Sequence, residues 1–180
     1  MLLVPAKDVE PAAGAIAAAL AIGPIQLLFV CTHNSRRSQL SEALAAHRWQ
    51  LDPRITVRSC GTEQTACHPS TAQALEDLGW NVRDLGQGQF QVQQDLTART
   101  LWSKTLDEVP RDLPIVAMMT CAEADEACPA IVGAVARIAW RYPDPKIADG
   151  TPESRATYRT VAEAIARDLD ALYNELQLNP

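Results

Sequence analysis

One short segment, "FVCTHNSRRSQ" (residues 29–39), contains a thiol that is followed by two arginines. Cys31 ends an apolar run of strand length, and Arg37 and Ser38 follow it closely. Where a strand passes through a tight turn into a helix, N–H groups of the turn and of the helix N-terminus converge and stabilise an anion. A cysteine at such a place is stabilised as a thiolate. We therefore predict that Cys31 is a nucleophile that attacks an oxyanion.

The residues after Cys31 supply groups that an oxyanion needs. The guanidinium of Arg37 is a planar fork that can hold two oxygens of a tetrahedral anion, and the Ser38 hydroxyl can donate to the sulfur. The residues predicted to surround the anion are Thr32, His33, Asn34, Ser35, Arg36 and Ser38. The alternative is a core cysteine before two surface charges, but it places positive charge at a helix N-terminus, where the helix dipole disfavours it.

The surrounding sequence alternates strand-like and helix-like segments, which predicts right-handed βαβ units and a parallel sheet. Apolar runs predict strands at residues 25–30, 55–59, 115–119 and 137–140. Amphipathic segments predict helices at 38–49 and 69–79, and a long C-terminal helix. The C-terminal helix is expected to have Thr151 as its N-cap and Pro152 at its first position, with Val161, Ile165, Leu169 and Leu172 as its buried stripe.

Two segments depart from this pattern. Residues 83–110 contain alternating strand-like stretches and predict an inserted hairpin or edge strands. Residues 1–24 form an N-terminal extension whose apolar stretch lacks a basic region before it, so we predict a short helix and not a targeting segment. Residues 25–180 are expected to form one domain, and no apolar run reaches the ~20 residues of a membrane span.

Composition narrows the class of partner. The net charge is −6, and an acidic chain without a basic stripe is unsuited to nucleic acid or an anionic membrane. The five cysteines are an odd number in a chain large enough to fold without disulfides, and such cysteines are more often catalytic, redox-active or metal-binding. We therefore expect a cytoplasmic protein with neither nucleic-acid nor membrane partners.

The segment "CTHNSRRS" resembles the C-x5-R-S loop of the low-molecular-weight protein tyrosine phosphatases and of the thioredoxin-coupled arsenate reductases that share their fold. The resemblance runs from about residue 25 to 175 and includes "SCGTE" (59–63), "HPSTAQAL" and "YPDP". It implies a three-layer α/β/α fold with a four-stranded parallel sheet in the order 2-1-3-4. It also implies that Asp144 is the general acid for the leaving group. The chain departs from the pattern at His33, where Gly is usual, and at Arg36, where a second Cys is common.

Two later cysteines, in "MMTCAEADEACP" (118–129), distinguish between the two activities. In the order 2-1-3-4 the first and third strands are neighbours, so Cys31 and Cys121 leave the sheet side by side. Cys128 comes seven residues after Cys121, which is ~10.5 Å along a helix axis. A disulfide requires Cα atoms within about 7 Å, so this pair can bond only if the intervening segment unwinds.

The resemblance to arsenate reductases, which carry the same cysteine arrangement, implies a relay of thiols. Cys31 attacks arsenate while Arg37 holds the oxyanion and Asp144 protonates the departing hydroxyl. Cys121 then attacks the Cys31 sulfur and releases arsenite. Cys128 finally moves the disulfide outward to Cys121–Cys128, where a thioredoxin-like reductant can reduce it.

Two other functions remain open. A phosphatase needs only Cys31, Arg37 and Asp144, but related phosphatases bind phosphotyrosine with aromatic residues after the acid loop, where this chain has Lys146 and Ile147. In that case the later cysteines are packing residues. A structural zinc site is the third alternative, although its ligands are spaced more widely than usual. These ligands would come from Cys60, Cys67, His68, Cys121 and Cys128.

No resident cofactor is predicted, and a monovalent cation is left open. Some arsenate reductases of this kind bind a potassium ion that steadies the nucleophile loop. Asn34, Glu42 and Ser59 match three of its ligands. Lys104, from the predicted insertion, is the alternative source of positive charge at this place.

Overall fold

The computed structural model describes residues 2–127 and 130–178. In chain order its helices and strands are α1 (Glu10–Leu20), β1 (Ile25–Cys31), α2 (Arg37–Arg48), β2 (Ile55–Gly61), α3 (Pro69–Asp77), β3 (Asn81–Gly86), β4 (Gln89–Gln94), β5 (Thr97–Leu101), β6 (Ile115–Met119), α4 (Ala122–Ala127), β7 (Ala134–Ala139) and α5 (Ser154–Leu178). Two 3-10 turns, Leu106–Glu108 and Pro145–Ala148, complete the list.

A parallel sheet in the order β2-β1-β6-β7 forms the centre of the fold. This is the predicted order 2-1-3-4, so the predicted fold class is confirmed. Every residue of β1 and β6 is buried, because both faces of the central strands are covered. Strand β7 begins three residues before the predicted segment and ends at Ala139.

The two faces of the sheet are covered unequally. One face packs against α1, α2 and α5, and the larger apolar core lies there. The other face carries the short α4, and a smaller core contains Cys31, Cys60 and Cys121. Within the described residues, each helix is too short or too polar to cross a membrane.

Helix α5 has the predicted buried stripe but not the predicted start. Val161, Ile165, Leu169 and Leu172 are all buried. The prediction of Thr151 as N-cap and Pro152 as first helical residue is wrong, because α5 begins at Ser154. The Thr151 hydroxyl instead donates to the Ala148 carbonyl at 2.9 Å and so closes the preceding 3-10 turn.

The inserted segment forms a separate antiparallel sheet in the order β3-β4-β5. The predicted hairpin is present but starts at Asn81, and a third strand joins it. Of the two predicted alternatives, a hairpin or edge strands, the hairpin is the one observed, and none of the three strands pairs with the parallel sheet. Gln87 and Gly88 connect β3 and β4 with φ values of 54° and 69°, the two-residue turn that matches the twist of a hairpin. Phe90 and Val92 then face the core.

Candidate active site

Cys31 ends β1, and residues 32–36 lead into α2. Its Sγ accepts a hydrogen bond from the Asn34 N–H at 3.1 Å and lies 2.9 Å from the Ser38 Oγ. The chain turns this tightly because Asn34 has a φ of 44°, a left-handed conformation that Asn adopts more readily than most residues. His33 is not the left-handed residue, so a histidine in place of Gly causes no backbone strain there.

The Asn34 side chain fixes the direction of the hydrogen bonds around the sulfur. Its Oδ1 accepts from the Lys104 backbone N–H at 2.8 Å, so its Nδ2 is the donor atom. Nδ2 donates to the Ser59 Oγ at 2.8 Å and to the Ser38 Oγ at 2.9 Å. Because Ser38 Oγ accepts from Asn34, its own proton points at Cys31. The sulfur therefore receives two donors, which is the arrangement that stabilises a thiolate.

The loop carbonyls point away from the sulfur. Groups outside the loop hold three of them: Thr32 O accepts from the Glu63 N–H (2.9 Å), His33 O from the Ser103 hydroxyl (2.8 Å) and Ser35 O from the Thr71 hydroxyl (3.0 Å). In a trans peptide the N–H points opposite to the C=O. The N–H groups of residues 33, 34 and 36 are therefore turned to the inside of the loop, where an oxyanion would sit.

Arg37 and Asp144 meet at the mouth of this loop. The Arg37 Nη2 donates to the Asp144 Oδ2 at 2.8 Å, and its Nη1 donates to the Tyr142 carbonyl at 3.1 Å. The other carboxylate oxygen of Asp144 accepts from the Lys146 N–H at 3.0 Å and caps the 3-10 turn. An oxyanion can recruit the Arg37 fork by displacing the carboxylate, which releases Asp144 toward the departing oxygen.

Cys121 lies against the nucleophile loop. Its Sγ is 3.6 Å from the Thr32 Oγ1 and accepts from the Ala124 N–H of α4 at 3.4 Å. Strand β6 ends two residues earlier and pairs with β1, which places the Cys121 thiol next to the loop that begins at Cys31. Cys128 lies outside the described residues, so the structure does not place the third thiol.

This site can be set beside known proteins. A family model described as low molecular weight phosphotyrosine protein phosphatase matches residues 26–179. The chain belongs to this family. The arsenate reductase of Shouchella clausii is 30% identical over 129 residues, which cover 72% of this chain and 80% of that protein.

Solved structures show the fold of the family in this chain. An arsenate reductase in its oxidized state matches with a TM-score of 0.58 at 23% identity, covering 84% of this chain and 98% of its own. A thioredoxin-dependent arsenate reductase of Corynebacterium glutamicum matches with a TM-score of 0.52 at 24% identity, covering 93% of this chain and 69% of its own.

Arg36, a departure from the usual family loop, turns its guanidinium away from the oxyanion position. Its Nε donates to the Tyr158 Oη at 2.5 Å and its Nη2 to the Asp149 Oδ2 at 2.6 Å. The predicted contact of Arg36 with the anion is therefore limited to its backbone. Burial, and then the hydrogen bond to Asp149, raise the pKa of Tyr158, which keeps its hydroxyl protonated as a donor to Asp149.

His68 and His33 lie at two sides of the loop. The His68 ring stacks on Tyr158, and burial, followed by the Arg36 charge, lowers its pKa, so the ring is neutral at pH 7. The His33 Nδ1 lies 3.3 Å from the Glu63 Oε2, and both side chains are exposed. His33 thus lines the rim of the site, although its backbone belongs to the loop.

A buried charge pair that the sequence only hinted at lies behind the loop. The Lys104 Nζ donates to the Glu42 Oε2 at 3.0 Å and to the Trp102 carbonyl at 3.2 Å. The Ser59 hydroxyl donates to the same Glu42 oxygen. The Lys104 ammonium therefore already contacts Glu42, one of the three residues named as potassium ligands.

The remaining cysteines show no shared ligand geometry. Among the residues that the structure describes, no group of three or more His, Cys, Asp or Glu side chains could hold a metal ion. The described members of the zinc alternative, among them Cys60, Cys67 and Cys121, are therefore not gathered into a site, and these three cysteines form no disulfide. Burial raises the pKa of Cys67 to about 12, which makes it a poor nucleophile.

Proposed function

We propose that this chain reduces arsenate to arsenite through thiol chemistry that starts at Cys31. The observation that carries the proposal is the second thiol, Cys121, against the loop of the first, with its Sγ 3.6 Å from the Thr32 hydroxyl. The related arsenate reductase of Shouchella clausii supports the same activity. A phosphate-ester hydrolase has no step that uses a thiol at this place.

The first step forms a bond between the Cys31 sulfur and arsenic. The thiolate attacks arsenate held by the loop N–H groups and the Arg37 fork, and Asp144 gives a proton to the hydroxyl that leaves as water. The Asn34 N–H and the Ser38 hydroxyl point at the sulfur and leave it in place for the attack.

The second step transfers two electrons. The Cys121 thiolate attacks the Cys31 sulfur, an S–S bond forms, and the S–As electron pair stays on arsenic, which leaves as arsenite. Cys128 then attacks the Cys121 sulfur and releases the Cys31 thiolate. A thioredoxin-type dithiol reduces the Cys121–Cys128 disulfide, so the cycle belongs in a reducing compartment such as the cytoplasm.

A single turnover tests the proposal. Fully reduced protein is mixed with excess arsenate and no reductant, after which free thiols and arsenite are assayed. We expect two thiols lost for each arsenite formed, and we expect Cys128→Ser to stop at a Cys31–Cys121 disulfide. Cys67→Ser is the matched control, since that buried thiol has a raised pKa and no role in the relay. Arsenite formation without thiol loss would contradict the relay.

The second candidate function is phosphatase activity, which the family membership favours. Cys31, Arg37 and Asp144 are complete for it without any other thiol. If arsenate consumes no thiols, and an aryl phosphate is hydrolysed by the wild type but not by Cys31→Ser, the chain is a phosphatase. The exposed Ile147 then lies where aromatic residues hold phosphotyrosine in related enzymes.

A further inference from the structure

A continuous hydrogen-bond chain leads from the Lys104 ammonium to the nucleophile. Glu42 accepts from Lys104 and from the Ser59 hydroxyl, and Ser59 accepts from the Asn34 amide. The same amide donates to Ser38, whose proton points at Cys31. Each hydroxyl in this series of hydrogen bonds has one direction available to its proton, and Glu42 Oε2 is the terminal acceptor that sets that direction.

Glu42 and Lys104 are both deeply buried, with side chains 7% and 9% exposed. A carboxylate removed from water is costly unless a cation and further donors satisfy it. The Lys104 ammonium and the Ser59 hydroxyl meet that need. Without the ammonium, the buried Glu42 carboxylate would lack its cationic partner, and an external cation could take that place.

The inserted sheet delivers Lys104 to this position. Residues 102–104 follow β5 directly. Both backbone polar groups of Lys104, its N–H and its carbonyl, form hydrogen bonds. Its N–H donates to the Asn34 Oδ1 at 2.8 Å, and its carbonyl accepts from the Gly61 N–H at 2.7 Å. The side chain therefore starts from a fixed point next to the left-handed residue of the loop.

We propose that Lys104 is a positioning residue that serves as a built-in cation for the nucleophile loop, in place of a bound monovalent ion. Its ammonium holds the Glu42 carboxylate in place, and Glu42 orients Ser59 and Asn34 so that Ser38 donates to the Cys31 sulfur. The inserted sheet thereby takes part in preparing the nucleophile. The proposal concerns the thiolate itself, so it holds whether the chain reduces arsenate or hydrolyses a phosphate ester.

The test measures alkylation of Cys31 by iodoacetamide at pH 6, read by mass spectrometry of the peptide that carries this residue. Wild type, Lys104→Ala and the control Arg83→Ala, which removes an exposed cation from the same inserted sheet, are compared in choline chloride and in potassium chloride. We expect wild type and Arg83→Ala to react at equal rates in both salts. We expect Lys104→Ala to react about tenfold more slowly in choline, and potassium or methylammonium to restore most of the rate.

Three results would overturn the proposal: a wild type that potassium accelerates, a Lys104→Ala variant that reacts normally in choline, or a slow variant that no cation restores. If Lys104→Ala fails to fold, the double variant Lys104→Met/Glu42→Gln removes both buried charges together. It should react slowly in either salt, and reaction at the wild-type rate would refute the role of the pair. Because no arsenate is present, failure of the proposed reductase activity leaves this test intact.

Discussion

In the proposed relay, replacing Asp125 by Asn should speed the transfer of the disulfide from Cys31–Cys121 to Cys121–Cys128. Cys121 precedes α4, and the seven-residue spacing keeps its partner out of reach while the segment is helical. Transfer therefore requires α4 to unwind. Asp125 lies in the middle of this helix and ties it to the segment that contains β7.

Two arginines hold the Asp125 carboxylate. The Arg137 Nη2 donates to Oδ1 at 2.7 Å, and the Arg141 Nη2 donates to Oδ2 at 2.5 Å. The hydrogen bond from Arg141, and then that from Arg137, lower the pKa of Asp125, although burial opposes them. A lowered folded-state pKa means that the pairs stabilise α4 above the pKa of the unfolded carboxyl and lose that effect only as pH falls below it. At neutral pH their contribution is complete.

The size of the effect follows from the exposure of the pairs. Exposed ion pairs contribute ~0.2–1 kcal/mol each, and the Asp125 carboxylate is 17% exposed with two such partners. Asparagine keeps one acceptor but no charge, so we estimate a loss of about 1 kcal/mol. That loss raises the unwound fraction of α4 about fivefold. The burial of Ala124, which also resists unwinding, is unchanged.

The assay follows one turnover with arsenate, stopped by rapid alkylation and read as disulfide-linked peptides. The Asp125→Asn variant should pass from the first disulfide to the second about fivefold faster than wild type, at the same rate of arsenite release. Glu126→Gln removes the same charge from an exposed position of α4 and should leave the rate unchanged. An Asp125→Asn variant with an unchanged or slower transfer would refute the requirement for unwinding.

Two further substitutions probe the nucleophile loop from outside. Gly61→Ala places a Cβ within 2.8 Å of the Thr32 O and Asn34 N atoms, so we expect a loss of about 1–3 kcal/mol in the free energy of unfolding, measured with urea. If Gly61→Ala unfolds with the same free energy as the wild type, the loop accommodates the added Cβ without cost. Arg36→Met leaves Asp149 without its guanidinium partner. We expect the kcat of arsenate reduction to fall about tenfold with little change in KM, and we expect Arg36→Lys to recover part of the lost kcat. A change confined to KM would place Arg36 in substrate binding instead.

Local patterns predicted the elements of the fold well because they determine burial directly. The apolar runs at β1 and β6 are buried in full, as expected for the central strands of a covered parallel sheet. The start of α5 was mispredicted although Thr151 and Pro152 form a valid N-terminal signal. The Thr151 hydroxyl instead donates to the Ala148 carbonyl, a contact that depends on the preceding turn.

The side chains that touch the sulfur could be predicted from the sequence, whereas those that hold the loop could not. Ser38 is close in sequence to Cys31, and its contact follows from helix geometry. Ser103 contacts the loop from 70 residues away, and the Arg36 contact with Tyr158 spans 122 residues. Such pairings depend on how distant elements pack, and one sequence carries no pattern for them.

The cysteine that follows strand β6, and not the nucleophile loop, bears on the choice between the two candidate functions. A thiolate, an arginine and an acid start either reaction, so one loop can serve both chemistries. Strand β6 pairs with β1 so that Met119 lies level with Val30, and the Thr120 N–H donates to the Val30 carbonyl at 2.8 Å. The Cys121 thiol therefore emerges beside the loop that begins at Cys31. Hydrolysis requires that water reach the intermediate bonded to the Cys31 sulfur, whereas the proposed reduction requires a second thiol beside that sulfur. The pairing of β6 with β1 brings the Cys121 thiol next to the loop.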